Sequence, residues 1–306
     1  MTVKNALGAK KASIIYTTAF IISISITLIL ALFMSGVLSE GVRGGLLLSW
    51  RVVIPSVFPF MILSDVMAYV FDKMNEQSSI ISPGAKICLI GFLCGFPCGA
   101  KRASEAYERG EITGEAATLY AAVASVPSPA FIVGGVKSAL GFSVKEATVS
   151  IISVMLSGIL FSAIFKEKSK GNAISCVRAR HKYSFVASVK DAGLACVTVC
   201  SFVTLFFTIS KVLGFFGLSG TALSTILPFL EVSAALNSIS TATEIPYSVR
   251  LTCVGFSLGF GGISALLQGG VYLEKQDLSV KKFISIKLSI GIFTAVVFAL
   301  FIRIFK

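Results

Sequence analysis

The residues best suited to chemistry lie where glycine and proline interrupt apolar segments. The clearest case is Gly95-Phe96-Pro97-Cys98-Gly99-Ala100-Lys101-Arg102. Proline breaks the helical hydrogen-bond ladder, and a helix that restarts here would leave free N–H groups beside two cations. Such a helix start attracts anions, so the segment is predicted to bind a solute. The alternative is helix packing, because Gly91, Gly95 and Gly99 recur every four residues, but Pro97 in the same turn weakens it.

Two further breaks have the same character. The first is Ser125-Val126-Pro127-Ser128-Pro129, which has two prolines in the middle of an apolar run. The second is Gly259-Phe260-Gly261-Gly262-Ile263-Ser264, in which three of the first four residues are glycine. The first could be a tolerated proline kink, and the second a close helix contact. The functional interpretation is local unwinding that turns carbonyls and Ser125, Ser128 and Ser264 toward a solute.

Glu231 is the fourth candidate. It follows Pro228-Phe229-Leu230, and its nearest charged neighbours in the sequence are Lys211 and Glu244. An ionisable group deep in an apolar segment indicates a functional site, and coupling to protons or cations is the natural role. Asp65, in the first half of the chain, is expected to lie at the membrane interface instead.

Soluble enzyme chemistry finds little support in the sequence. It has no phosphate-binding loop, no metalloprotease zinc motif and no serine-hydrolase elbow, and its single histidine, His181, lies in a charged loop. The seven cysteines lie mostly in apolar segments and are interpreted as small apolar filler. We therefore expect a protein that is not an enzyme, with no cofactor and no bound metal.

The elements that must hold these breaks are membrane helices. Of the 306 residues, 55% are hydrophobic and 14% charged, and the mean hydropathy is +0.88. A bilayer core requires about 20 apolar residues per helix. About eight hydrophobic segments are predicted, over about 14–38, 46–71, 116–136, 145–165, 186–216, 222–243, 249–273 and 284–304, with a shorter apolar segment at 87–100 in the first half. The fold class is all-α and polytopic, a single transmembrane domain over 1–306.

The short segment is Ile87 to Ala100. Its 14 residues lie between Lys86 and Lys101 and would reach only about 21 Å as a helix, less than the core of about 30 Å. It is predicted to be re-entrant or part of a broken helix. The span over 116–136 is predicted to be interrupted at Ser125–Pro129.

Two short matches indicate an internal repeat. Val57-Phe58-Pro59-Phe60 resembles Ile226-Leu227-Pro228-Phe229, and Gly91–Phe96 resembles Gly255–Phe260 in the same order. Repeat one is placed at about 46–139 and repeat two at about 219–304. Repeats with matching broken segments point to a transporter binding site. Whether the repeats are inverted or parallel stays open.

Charge placement predicts the orientation. The net charge is +12, and Lys166, Lys168, Lys170, Arg178, Arg180 and Lys182 crowd one loop. This excess is typical of a cytoplasmic loop, so the loop 166–183 and the N-terminus are predicted to be cytoplasmic. The expected partner is the lipid bilayer, and nucleic acid is excluded because aromatic residues do not alternate with the basic ones.

The motifs resemble those of a known family. Gly95–Lys101 is similar to the Gly-aromatic-Pro-x-Gly-Ala-Lys signature of the YlbJ family of sporulation integral membrane proteins, and further motifs follow in the family's order. These are Glu108–Thr113, Ser128–Gly134, Leu230-Glu231-Val232 and Phe260–Ser264. The resemblance implies a nucleoside-recognition (gate) domain similar to concentrative nucleoside transporters. It also implies placement in a bacterial cell membrane, with the forespore membrane as a candidate, and a link to moving dipicolinate.

The function predicted from these observations is transport of a small anionic, dipicolinate-like solute. A permease for a nucleoside-like solute and a non-transporting scaffold in assembly of the spore envelope are the alternatives. An intramembrane enzyme is the weakest hypothesis, because no residues can be given its roles.

Overall fold

The computed structural model describes residues 3–77, 81–136, 141, 143–164, 183–218 and 220–305, and within these ranges every regular element is helical. The basic loop predicted to be cytoplasmic lies outside them, apart from Tyr183. The helices are α1 Val3–Phe33, α2 Ser35–Leu48, α3 Ile54–Gln77, α4 Pro83–Cys94, α5 Cys98–Glu108, α6 Gly114–Ala124, α7 Pro129–Phe131, α8 Val144–Ile164, α9 Phe185–Phe215, α10 Gly220–Leu230, α11 Val232–Thr241, α12 Tyr247–Phe260, α13 Gly262–Glu274 and α14 Val280–Phe305. π-Helical turns at Ser49–Val53 and Ile132–Val136 extend α2 and α7.

The predicted polytopic, all-α class is confirmed. In the described ranges, six helical stretches are long and apolar enough to cross a membrane, and shorter apolar helices accompany them. The spans are Ser35–Asn75, Gly114–Gly134, Val144–Ile164, Phe185–Phe215, Tyr247–Glu274 and Val280–Phe301. Large apolar side chains such as Phe20, Leu32 and Phe33 are exposed on α1, as expected of a helix that faces lipid.

One wall of the molecule is a long antiparallel pair. The continuous helix Ser35–Asn75 runs beside α9 with glycines at the contact. A Cβ atom on Gly41 would lie 2.8 Å from the Cα of Thr208, and one on Gly45 would lie 2.6 Å from the Cα of Thr204. Small residues thus let the two backbones approach closely, as in other membrane helix pairs.

Helices α4 and α5 form a helical hairpin, here called hairpin 1. They pack side by side, and Lys86 Nζ near the start of α4 lies 3.8 Å from Glu111 Oε2, just beyond α5. Pro83 begins α4 behind the capping hydroxyl of Ser82, and Gly95-Phe96-Pro97 forms the tip. The segment 87–100 is thus broken at Gly95-Phe96-Pro97, in keeping with the prediction of a re-entrant or broken helix.

Helices α10 and α11 form a second hairpin, hairpin 2, with Glu231 at its tip. Ser224 Oγ lies 2.8 Å from Ser238 Oγ, seven residues to either side of Glu231. At the open end, a Cβ atom on Gly220 would lie 2.9 Å from Glu244 Oε1. The predicted segment 222–243 is thus two short antiparallel helices rather than one straight helix, because the Glu231 carboxylate starts a new helix where α10 ends.

The other two breaks interrupt helices that continue in the same direction. The span Gly114–Gly134 contains α6 and α7, separated at Ser125–Ser128, as predicted. The span Tyr247–Glu274 contains α12 and α13, separated at Gly261. Neither pair of half-helices packs side by side, so these two segments cross the fold instead of turning back.

The two hairpins open on opposite faces. On the hairpin-1 face, Lys282 Nζ lies 3.3 Å from Glu115 Oε1, and Ser104 Oγ donates to the Tyr272 carbonyl at 2.8 Å. On the hairpin-2 face, the Tyr247 hydroxyl donates to Glu146 Oε1 at 2.9 Å. Each half of the described chain then has the same order of elements: a long helix, a hairpin, a broken crossing helix and a long helix.

Candidate functional site

All four breaks meet in the middle of the fold. A Cβ atom on Gly95, at the tip of hairpin 1, would lie 2.6 Å from the Ser128 nitrogen. One on Gly261 would lie 2.5 Å from the Phe96 ring, and one on Gly262 would lie 2.9 Å from the Leu230 carbonyl oxygen at the tip of hairpin 2. Hairpin tips and half-helix ends from both halves of the chain therefore share one location.

Gly261 and Gly262 explain why three glycines cluster in this part of the sequence. Their φ angles are 88° and 74°, a region that side chains with a Cβ atom rarely adopt. The close approaches to Phe96 and Leu230 exclude a side chain at both positions as well. A residue with a Cβ atom at either position would collide with a hairpin tip, Phe96 of hairpin 1 or Leu230 of hairpin 2.

The breaks surround a cavity, here called the central cavity, with about 590 Å³ of space free of protein atoms, part of it open to the surroundings. Its apolar wall comes from the long antiparallel pair, with Val53 and Val57 on one side and Val199 and Val203 on the other. Its opposite wall comes from the breaks. The residues there are Cys94, Phe96, Pro127, Ser128, Phe131, Glu231, Val232, Ser233, Gly261, Ser264, Ala265 and Gln268, with Ser56 completing the lining.

Helix N-termini face this cavity. The α13 helix starts after Gly261, which supplies no side chain to cap it, and both Gly261 and Ser264 of its first turn line the cavity. The α7 helix starts at the cavity as well, where the Ser128 hydroxyl accepts from the Phe131 N–H at 3.2 Å. Free N–H groups and aligned peptide dipoles make such helix starts favourable for an anion.

Glu231 lines the same cavity as a buried carboxylate. It is 5% exposed and caps α11 by accepting from the Ala234 N–H at 2.6 Å. Among the described residues, no Lys or Arg forms an ion pair with it. The carboxylate thus has a structural role as a cap, and it also places a group able to carry negative charge beside the helix starts.

Lys287, on α14, forms hydrogen bonds to the backbone at two of the breaks. It is fully buried and donates to the carbonyls of Ser125 and Gly259, each at 2.6 Å. Its ammonium also lies 5.3 Å from the centre of the Phe96 ring. The two carbonyls belong to the C-terminal ends of α6 and α12, where the helix dipole favours a cation, so Lys287 joins both crossing helices at their breaks.

Lys101 and Arg102 lie away from the central cavity. Both are buried on α5 and contact Asp65 of α3, Lys101 at 2.8 Å, while Arg102 also bonds Glu105 at 2.7 Å. Lys86 continues this charged cluster by pairing with Asp72. Asp65, expected at the interface, is therefore mostly buried and pairs with both cations of the glycine motif.

The structure brings some of the predicted site residues to the cavity and not others. Six of them line it: Phe96, Pro127, Ser128, Glu231, Gly261 and Ser264. Of the others, Pro97 lies at the tip of hairpin 1, Lys101 and Arg102 pair with Asp65, and the rest pack behind the lining. Gly95 and Gly262 pack at the tips, Gly99 packs on Ala124, Ala100 faces Gly269, Pro129 begins α7, and Ser125 and Gly259 offer their carbonyls to Lys287.

Sequence reasoning missed Lys287, Gln268, Ser233 and Ser56. Lys287 had a signal, since it is a lysine within a helix that is otherwise apolar for most of its length. Gln268 is likewise a polar residue in an apolar stretch, and its amide donates to Ser264 Oγ at 3.3 Å. In both cases the partner lies at a break, which the linear pattern does not reveal.

Fold and site together define a class: a polytopic α-helical membrane protein with two opposed hairpins whose tips meet at a central cavity. The chain is similar to the sporulation integral membrane protein YlbJ of Bacillus subtilis (strain 168), with 22% identity over 84% of this chain and 76% of the relative. The resemblance expected from the motifs is thereby confirmed. No known family profile and no solved structure matches the chain.

Proposed function

We propose that this protein is a membrane transporter for a small anionic solute of the dipicolinate type, bound in the central cavity between the tips of the two hairpins. The observation that carries the proposal is the meeting of four helix breaks from both halves at one cavity. Transporters commonly place their sites at such broken helices near the middle of the bilayer. A scaffold protein would not require a cavity lined by unwound segments.

The cavity chemistry supports a flat anionic ring compound. The N-terminus of α13 offers backbone donors to a carboxylate, and Ser128, Ser233 and Ser264 add hydroxyls. Phe96 and Phe131 lie in the same lining and can stack on an aromatic ring. The same two rings would suit a nucleobase, so a nucleoside-like solute is the second candidate.

Glu231 supports coupling to protons. A carboxylate and a bound anion repel each other by about 4 kcal/mol at 4 Å in an environment of effective dielectric constant near 20. A proton on Glu231 removes this repulsion, so anion and proton are expected to bind together. Protonated Glu231 would keep one oxygen as an acceptor for the Ala234 N–H and so preserve the cap of α11.

The order of elements supports an inverted repeat. With the predicted bounds of 46–139 and 219–304, α3 of the first repeat corresponds to hairpin 2 of the second. The order of elements instead makes hairpin 1 correspond to hairpin 2, and one broken crossing helix correspond to the other. We therefore take 54–164 and 185–305 as the two units. Because the hairpins open on opposite faces, the units are related by inversion across the membrane, as in many secondary transporters.

Direct binding tests the proposal. Pyridine-2,6-dicarboxylate is titrated calorimetrically into the purified protein, with a nucleoside as the comparison ligand. We expect saturable binding of the dicarboxylate that weakens in Ser264→Ala and Phe96→Ala. Ser150→Ala is the control, because Ser150 is buried on α8 outside the cavity lining. Binding of the nucleoside alone would favour the second candidate, and no binding of either would contradict both.

A further inference from the structure

A second cavity lies on the hairpin-1 face and approaches the central one. This cavity, here called the vestibule, contains about 920 Å³ of space free of protein atoms, part of it open to the surroundings. Most residues of its lining are polar or charged, and they include the acids Glu105, Glu108 and Asp191, the bases Lys101 and Lys275, and Ser104, Tyr272 and Gln276. A polar, open space of this kind suits water and hydrated solutes.

Two residues line both the vestibule and the central cavity. They are Val199 on α9 and Gln268 on α13. Each is 5% exposed, so together they form the boundary between the two spaces. Pro97 lies on the vestibule side of hairpin 1, and its neighbour Phe96 lies on the central side, which places the hairpin tip at the same boundary.

Gln268 is oriented by the central site. Its Nε2 donates to Ser264 Oγ at 3.3 Å, and Ser264 belongs to the uncapped first turn of α13. An amide carries two N–H donors, so one side chain can hold Ser264 and a passing carboxylate at once. The Val199 side chain is apolar and leaves the polar contact to Gln268.

We propose that solute reaches the central cavity from the vestibule, through a neck formed by Gln268 and Val199, and that Gln268 selects for anionic solutes there. This inference rests on the proposed transport function. The route opens on the hairpin-1 face, where the vestibule lies.

Thiol labelling tests the route without requiring transport. The reporter is Ser233→Cys, in the central cavity, in a chain whose native cysteines are replaced by Ala. A membrane-impermeant thiol reagent is added to either side of sealed vesicles. Gln276→Cys marks the hairpin-1 face, and Thr243→Cys marks the hairpin-2 face. We expect Ser233→Cys to react from the side that labels Gln276→Cys and not from the side that labels Thr243→Cys.

Narrowing the neck should slow this reaction. Val199→Trp is expected to reduce the labelling rate by roughly tenfold or more, a barrier change of about 1.4 kcal/mol. Val197→Trp is the matched control, since Val197 lies on the same helix with 66% of its surface exposed. Labelling from the hairpin-2 side, or an equal rate in Val199→Trp, would overturn the route.

Selectivity is tested separately with the native cysteines in place. Gln268→Leu should weaken binding of pyridine-2,6-dicarboxylate more than that of a neutral pyridine of similar size, while Gln276→Leu leaves both unchanged. Equal loss for both ligands would contradict selection by Gln268. A protein that labels as described but binds no dicarboxylate would remove the proposed function and leave the water-accessible route in place.

Discussion

Lys287 joins two different broken helices, because its ammonium donates to a carbonyl of each. Replacing it with Met leaves the Ser125 and Gly259 carbonyls buried without their donor. A hydrogen bond to a charged group contributes about 1.5–3 kcal/mol, and an unsatisfied buried polar group adds its own cost. We expect Lys287→Met to lower the free energy of unfolding by about 3 kcal/mol or more.

The measurement is unfolding of the purified protein in mixed detergent micelles. Lys282→Met is the matched control on the same helix, since the Lys282–Glu115 pair is half-exposed and should contribute less than about 1 kcal/mol. Similar stabilities for the two variants would show that the buried ammonium does not join the breaks.

Glu231 allows a prediction about coupling. Glu231→Gln keeps an oxygen to accept from the Ala234 N–H but cannot carry the negative charge. We expect this variant to bind pyridine-2,6-dicarboxylate with an affinity independent of pH, while the wild type binds more tightly as the pH falls. Glu244→Gln, at the exposed base of hairpin 2, should retain the wild-type dependence. An unchanged pH dependence in Glu231→Gln would exclude the coupling role.

Single residues also show the limit of sequence reasoning. Phe96, Ser128 and Ser264 could be predicted because the proline or glycine residues beside them indicate a helix break. The pairing of Lys101 and Arg102 with Asp65 could not, because it joins residues of different helices and depends on how hairpin 1 packs against α3. The partners of Lys287 are backbone carbonyls, which every residue has, so the sequence does not mark which residues accept from it.

At the scale of elements, the close packing of hairpin 1 against α6 sets the position of its tip. Cβ atoms on Gly91 and Gly99 would lie 2.4 Å from the Ala124 carbonyl oxygen. Gly91→Ala must therefore push α4 away from α6, at a cost of about 1–3 kcal/mol, and weaken solute binding at the displaced tip. The readouts are unfolding in mixed micelles and calorimetric binding.

Gly193→Ala provides the control for this substitution. Gly193 lies within α9 with no atom near the added methyl group, so its replacement should leave binding unchanged and add up to about 1 kcal/mol of helix stability. If Gly91→Ala behaves in the same way, the contact with Ala124 does not position the tip.

Three of the four breaks could be predicted from composition, and the fourth could not. Hairpin 1, the Ser125–Ser128 break and the Gly261 break all contain proline or glycine. Hairpin 2 turns at Glu231, where the only proline nearby, Pro228, lies inside α10 and does not end it. The turn depends on a carboxylate cap and on contact with Gly262, so apolar periodicity alone indicated one continuous segment there.

At the scale of the whole molecule, the two hairpins open on opposite faces, which supports the proposed inverted relation of the two halves. Composition was sufficient to predict a polytopic helical membrane protein. It did not give the proposed bounds of the two repeats. The sequence-based bounds rested on two short motif matches, whereas the order of elements becomes visible only in three dimensions. The proposed direction of each half rests on contacts such as Ser104 with Tyr272 and Tyr247 with Glu146.

Uptake into proteoliposomes tests whether the protein carries the dicarboxylate across a membrane. Purified protein is reconstituted, and accumulation of labelled pyridine-2,6-dicarboxylate is followed with a proton gradient directed inward and without one. We expect saturable uptake that is faster with the gradient and is competed by unlabelled dicarboxylate. Uptake no greater than in protein-free liposomes, under both conditions and with protein that retains its fold, would contradict it.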